Sequence, residues 1–236
     1  MVITVDQIER YLGQRIKDEY GRFIGTLLSI YADISGGVES VDVALNEDNY
    51  KQVHSDRLKL TPDGIVVIQE WKVEAINIEN QLDRVRKRMR AVEELYRKGN
   101  IPGHAYEEMK SRLDKEFSKI KEKVKEVKLK LRQRINDLED QIIRLEKATS
   151  NLMVLYMSNE VSETSYKASI DYLRQSKSKA QDEKKDIEKH LDIIEKLEAE
   201  PTETKAPLTA VTTAPSLQPS LMPKSEGPIQ VQVVDH

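Results

Sequence analysis

The chain has 236 residues, 33% of them charged and 5% aromatic, with a formal net charge of −3. That balance suits long solvated helices better than one large globular core. There is no cysteine, which excludes disulfides and thiolate metal sites, and His54, His104, His190 and His236 have no metal-ligand spacing, so no metal or cofactor is expected.

Residues 1–70 alternate short apolar runs with turn signals. Asp18-Glu19-Tyr20-Gly21 reads as a hairpin turn, with Gly21 supplying a positive φ between strands over 14–17 and 22–31. Ser35-Gly36-Gly37 is a second turn, and Val41, Val43 and Leu45 then alternate with polar or small residues as a strand with one buried face. Val53, Leu58 and Leu60 suggest short strands, followed by a turn at Thr61-Pro62-Asp63-Gly64 and a last strand over 65–69. Five or six short strands in this length predict a closed, barrel-like sheet, because closure removes unpaired edges. The spacing Leu12-Gly13-x-x-Ile16-x-Asp18-x-x-Gly21-x-x-Ile24-Gly25 resembles the opening of a PRC-barrel domain. The Val41/Val43 strand and Leu60-x-x-x-Gly64-x-Val66-Val67 fit its second half. The resemblance covers 8–69 and implies a non-catalytic docking or assembly module.

From Lys72 to Glu200 the pattern becomes helical. Trp71, Ala75, Ile78, Leu82, Val85, Met89, Val92 and Tyr96 recur in steps of four and three, the heptad seam of a coiled coil. Gly99-Asn100-Ile101-Pro102-Gly103 interrupts it. The seam resumes through Tyr106, Met109, Leu113, Phe117, Ile120, Val124, Val127, Leu131, Ile135, Leu138, Ile142 and Leu145, and breaks again at Ser158-Asn159-Glu160-Val161-Ser162. A third run follows with Tyr166, Ile170, Leu173, Ala180, Ile187, Leu191 and Ile194. A shift of 60 positions superimposes Leu95-Tyr96 on Leu155-Tyr156, Ile101 on Val161, Tyr106 on Tyr166 and Leu113 on Leu173. The rod is therefore expected to be two related hairpins sharing one central helix, with short loops that require antiparallel neighbours. Residues should face each other where their numbers sum to about 202 across the first turn and about 322 across the second. That stagger places a short three-helix section near 123–130, midway along a rod whose two ends would carry the other segments.

Positive charge concentrates in the first half of the rod: residues 72–134 carry 19 basic and 11 acidic side chains. Arg84, Arg86, Lys87, Arg88 and Arg90 nearly ring one helix, and Lys121, Lys125, Lys128 and Arg132 form a stripe. One reading is a phosphate-binding surface for DNA or anionic lipid, without base-specific contacts. The other is internal pairing, since the stagger sets the Lys-rich segment opposite Glu70, Glu74 and Glu79 on one side and Asp192, Glu195, Glu198 and Glu200 on the other. No apolar run approaches the ~20 residues that span a bilayer, and residues 1–7 lack the features of a signal peptide; a cytoplasmic protein is expected. No nucleotide-binding loop and no nucleophile–base arrangement is present, so no enzyme activity is expected.

Six of the eight prolines fall between 201 and 228 amid Thr, Ser and Ala, which predicts a disordered linker over 201–226. In the last segment, 227–236, Ile229, Val231 and Val233 alternate with Gln230 and Gln232, a one-faced strand without a partner in its own sequence. Such a strand on a tether suits β-augmentation of a partner's sheet, or docking onto its own barrel. The order of barrel-like start, coiled-coil middle and proline-rich tether ending in a strand resembles the archaeal CdvA cell-division family. The expected class is thus α+β multidomain: a small PRC-like β-barrel over 1–70, an antiparallel coiled-coil rod of three helices over 71–200, and a disordered tail. The resemblance implies a division-site scaffold that self-associates into dimers or polymers. It also implies that Ile229, Val231 and Val233, with Val234 on the opposite face, complete the sheet of a winged-helix-like domain in the ESCRT-III homologue CdvB. DNA and membrane are associated with that family too, which favours the polyanion reading and, as a rival, a nucleoid-associated architectural protein.

Overall fold

A computed structural model describes residues 3–62 and 64–199; the linker and terminal strand expected over 201–236 lie outside the described residues. A short helix α1 (Val5–Ile8) leads into six strands: β1 (Arg15–Asp18), β2 (Phe23–Ala32), β3 (Val38–Asn46), β4 (Asn49–His54), β5 (Leu58–Thr61) and β6 (Gly64–Val67). They form one sheet in the order β4-β3-β2-β1-β6-β5, antiparallel throughout except for the β1–β6 pair. Alternation sends Ile16, Leu27, Val41, Val43, Val53, Leu58, Ile65 and Val67 to the buried face, where Ile8 of α1 joins them. Gly25 has no substitute here: a Cβ would sit 2.1 Å from the Ala44 carbonyl oxygen, so the side-chain-free residue lets β2 and β3 approach.

The ladder stops at β4 and β5, where a closed hydrogen-bond ring was expected. These edge strands are consecutive in sequence and joined by the three-residue 3-10 turn Ser55–Arg57, which holds both at one corner. Arg57 ties that corner down, donating from Nε to the Ile68 carbonyl (3.0 Å) and accepting at its own carbonyl from Ile68 N–H (2.7 Å). Curvature, rather than continuous pairing, makes the sheet barrel-like.

Three helices follow: α2 (Glu70–Arg97), α3 (Gly103–Met157) and α4 (Glu163–Ala199). At ~1.5 Å per residue, α3 is about 80 Å long. The predicted seams are the buried ones: Trp71, Ala75, Ile78, Leu82, Val85 and Met89 from α2, Leu113, Ile120, Val124, Val127, Leu131 and Leu138 from α3, and Ala180, Ile187 and Ile194 from α4 form one core.

The two hairpin turns are copies of each other in atomic detail. After α2, Gly99 (φ 72°) donates to the Tyr96 carbonyl (2.9 Å) and Asn100 to the Leu95 carbonyl (2.9 Å). After α3, Asn159 (φ 62°) donates to the Tyr156 carbonyl (3.1 Å) and Glu160 to the Leu155 carbonyl (2.9 Å). Both are Schellman caps, which need a left-handed residue at the same place. Each turn is closed by stacked tyrosines: Tyr96 on Tyr106 at 4.3 Å and Tyr156 on Tyr166 at 4.2 Å, both with 14° between the rings.

Ion pairs record the stagger. Glu74 meets Lys130 (2.8 Å) across the first hairpin; Glu195 meets Lys128 (3.4 Å) and Glu139 meets Lys184 (2.6 Å) across the second. The sums are close to the expected 202 and 322. The helices α2 and α4 run parallel against α3 and touch over a longer stretch than the 123–130 section expected, from Trp71–Glu183 to Arg86–Glu198. One spatial consequence was not expected. The chain enters the rod at Trp71 and leaves α4 at Ala199, both within the three-helix section, so the barrel is attached at the middle of the rod and not at an end.

Candidate functional site

Three of the five buried polar or charged residues among the described residues, Asp18, Glu183 and His190, gather where the barrel meets the rod. Glu183 on α4 is fully buried (0% exposed) at a seam position between Ala180 and Ile187. Its Oε1 accepts from Trp71 Nε1 of α2 (3.1 Å) and from Arg134 Nε of α3 (2.9 Å). Its Oε2 accepts from Arg134 Nη2 (3.0 Å) and lies 2.6 Å from Arg22 Nη2 of the barrel. One carboxylate therefore joins three helices and the β1–β2 turn.

That turn is pre-formed for the task. Asp18, at 2% exposure, accepts the backbone N–H groups of Tyr20 (3.0 Å) and Arg22 (2.8 Å) on one oxygen and Arg22 Nε (2.7 Å) and Gln69 Nε2 (3.0 Å) on the other. With Gly21 at φ 75°, this aims Tyr20 and Arg22 at α4. Tyr20 donates its hydroxyl to Asp186 (2.8 Å); Lys72 bridges Asp186 and Glu19, both at 2.6 Å; Lys179 donates to the Gly21 carbonyl (2.9 Å). Burial, with the Asp186 contact second, pushes the Tyr20 phenol far above its ordinary range, so it stays a donor. One turn on, His190 Nδ1 lies 2.6 Å from Glu79 and its ring packs edge-on against Trp71. The hairpin turn is legible in the sequence; Glu183 and His190 are polar residues at seam positions among Ala180, Ile187 and Ile194, and that interruption of the apolar pattern is the signal the sequence offers. Desolvation offsets much of the attraction in such buried pairs, so they add little net stability, whereas loss of one partner is costly.

The five basic residues over 84–90 of α2 do not share one environment. Arg84, Lys87, Arg88 and Arg90 are exposed, and Lys87 pairs with Asp83 one turn back (2.7 Å). Arg86 is turned into the rod at 4% exposure, donating from Nη2 to the Glu198 carbonyl (2.6 Å) with its guanidinium over the Phe117 ring. It caps the last turn of α4, where a cation suits the carbonyl end of the helix. The Lys-rich stretch of α3 is partly paired internally: Lys128 with Glu195 and Glu198, Lys130 with Glu74, Arg132 with Glu195. Glu70 turns instead to Arg57 and Lys51 of the barrel, and Glu79 to His190. Among the described residues no group of His, Asp and Glu could hold a metal ion, and no helix is long and apolar enough to cross a membrane. Ile229, Val231, Val233 and Val234 fall outside the described residues.

The described residues thus form a barrel-like head locked by a polar node onto a staggered helical rod. Residues 70–216 match the CdvA-like coiled-coil domain. The whole chain is similar to "Cell division protein A" of Sulfolobus acidocaldarius, 33% identical over 237 residues, covering 100% of this chain and 99% of that protein. The chain belongs to the CdvA family. No solved structure gives a significant match.

Proposed function

We propose that this chain is a non-enzymatic, self-assembling cell-division scaffold that recruits the ESCRT-III homologue CdvB to the division site. The observation that carries the reading is the end-to-end similarity to a protein described as acting in cell division. The barrel-like module over 1–70, taken as PRC-like, serves docking; the rod over 71–200 serves spacing and assembly; 201–226 is the tether; 227–236 binds the partner. Ile229, Val231 and Val233 add a strand to the winged-helix-like domain of CdvB, with Val234 on the other face, because alternating apolar residues beside an unpaired backbone suit edge addition. The protein works in the cytoplasm near the membrane or nucleoid, and membrane contact runs through the partner.

The test is binding of the full chain, and of the chain lacking 227–236, to a CdvB winged-helix-like domain by calorimetry. Deletion is expected to abolish binding, and Val231→Asp to weaken it at least tenfold. Undiminished binding after deletion removes the recruitment reading. A second reading, non-specific DNA binding, is supported by the exposure of Arg84, Lys87, Arg88 and Arg90 on one arm of the rod. Under it the deletion leaves DNA binding intact, whereas charge reversal at Arg84 and Arg88 weakens it and flattens its salt dependence.

A further inference from the structure

The two hairpin tips are built alike, so their differences report on something other than folding. Over 88–99 the first tip carries six charged residues; the corresponding stretch of the second, 148–159, carries none in a chain that is 33% charged. In the repeat register, Glu93, Glu94 and Arg97 are replaced by Met153, Val154 and Met157, which are 48%, 64% and 78% exposed. Arg112 is likewise replaced by Tyr172, also exposed. Leu152, Leu155 and Tyr156 between them face inward, as the seam requires. The first tip makes the same Schellman cap and the same tyrosine stack with charges at these positions, so the apolar side chains are not needed to form the tip. Positions 153, 154 and 157 lie within one turn of α3 and make a single patch.

We propose that the second tip docks against the same tip of a second copy of this chain, in a two-fold contact centred on Met157. The proposal rests on the self-assembly reading above and gives it a surface. Three features select this occupant. The first tip as partner would set Glu93, Glu94 and Arg97 against apolar groups that cannot pair with them. A lipid surface would find no net positive charge, since over 148–167 the charged residues are Glu160, Glu163 and Lys167, the last paired with Glu163. The same tip offers a matching uncharged patch, and a two-fold contact is self-complementary by construction. Methionines also adapt their shape to an apposed surface more readily than branched side chains do. A patch of a few hundred Å², even doubled, falls short of the ~1,200–2,000 Å² of stable complexes, so the contact is weak and concentration-dependent.

The absence of cysteine makes a direct test available. Full-length Met157→Cys is expected to form a disulfide dimer under mild oxidation, and Arg97→Cys on the first tip is not. The triple variant Met153→Glu, Val154→Glu, Met157→Arg copies the first tip; it should keep its thermal midpoint while self-association in sedimentation velocity weakens at least tenfold. A triple variant that associates like the parent overturns the tip contact and leaves the self-assembly reading standing. A parent that stays monomeric at every concentration overturns both. Flotation of the parent, but not the triple variant, with phosphatidylcholine–phosphatidylserine vesicles would overturn the contact by assigning the patch to lipid.

Discussion

Glu183 is one carboxylate asked to satisfy an indole, two guanidinium groups and four elements at once. Replacement by Ala leaves Arg22 and Arg134 facing a desolvated gap, and breaking a buried pair in this way costs about 3–5 kcal/mol. Urea unfolding is expected to register that loss for Glu183→Ala and a smaller one for Glu183→Gln, which still accepts from Trp71. Asp186 sets the pH response. Burial alone would raise its carboxyl, but the hydrogen bonds from Lys72 and Tyr20 outweigh burial and hold it below its ordinary 3.8. A depressed folded-state value contributes stability that is complete above 3.8 and lost as pH falls through the lowered value. Lys72 behaves oppositely: burial would lower it, the contacts with Asp186 and Glu19 prevail, and its contribution is lost only as pH rises through a value above 10.5. The junction is therefore held across the neutral range. Thermal midpoints measured from pH 7 to pH 2 should fall steeply at the acid end for the parent and less steeply for Asp186→Asn, which starts lower at pH 7. None of this was legible beforehand, because a polar residue at a seam position has no partner in one dimension. The partners of Glu183 lie 49, 112 and 161 positions away.

The elements themselves were far more legible. Heptad steps named nearly every buried residue of the rod, because a helix with a narrow stripe can bury only that stripe. The 60-residue repeat located both turns, and its physical basis is now explicit: two Schellman caps, one using Gly99 and the other Asn159. The asymmetry is testable. Gly99→Ala forces a Cβ into a left-handed conformation and is expected to cost about 1 kcal/mol, whereas Asn159→Gly relieves a similar strain and should be neutral or stabilising by a few tenths. Chemical denaturation of both variants checks the pair, and equal destabilisation would contradict it. Strands were read less completely. The hairpin at Gly21 was plain, but β4 runs Asn-Tyr-Lys-Gln-Val-His with only Val53 buried, so an edge strand left no alternation to find. For the same reason the open ladder was missed: whether two edges pair depends on the corner at Ser55–Arg57, not on either strand.

At the scale of the molecule, sequence order misleads about spatial order. The barrel precedes the rod and a further 37 residues follow α4, yet the chain enters and leaves the rod within its three-helix section. What remain at the extremities are two turns of near-identical geometry and opposite surface character, one charged and one apolar. Folding-back of α2 and α4 onto a common α3 produces this, and the stagger sums contained it. They fixed where each outer helix begins and ends along α3, and only the notion of a rod with attachments at its ends concealed the result.

A central mooring has a consequence for how such a rod can change length. Each arm beyond the three-helix section is a plain two-helix hairpin, about 20 Å on the first side and about 27 Å on the second at ~1.5 Å per residue. Seven residues added to both helices of one arm preserve the heptad register and move that tip outward by about 10 Å. The separation between the head and the point where the chain departs stays fixed, as does the other arm. Reach on either side can thus drift independently over generations while the cross-section that bears both appendages is conserved in geometry, in the manner of a ship's yard lengthened from its tips without refitting the mast.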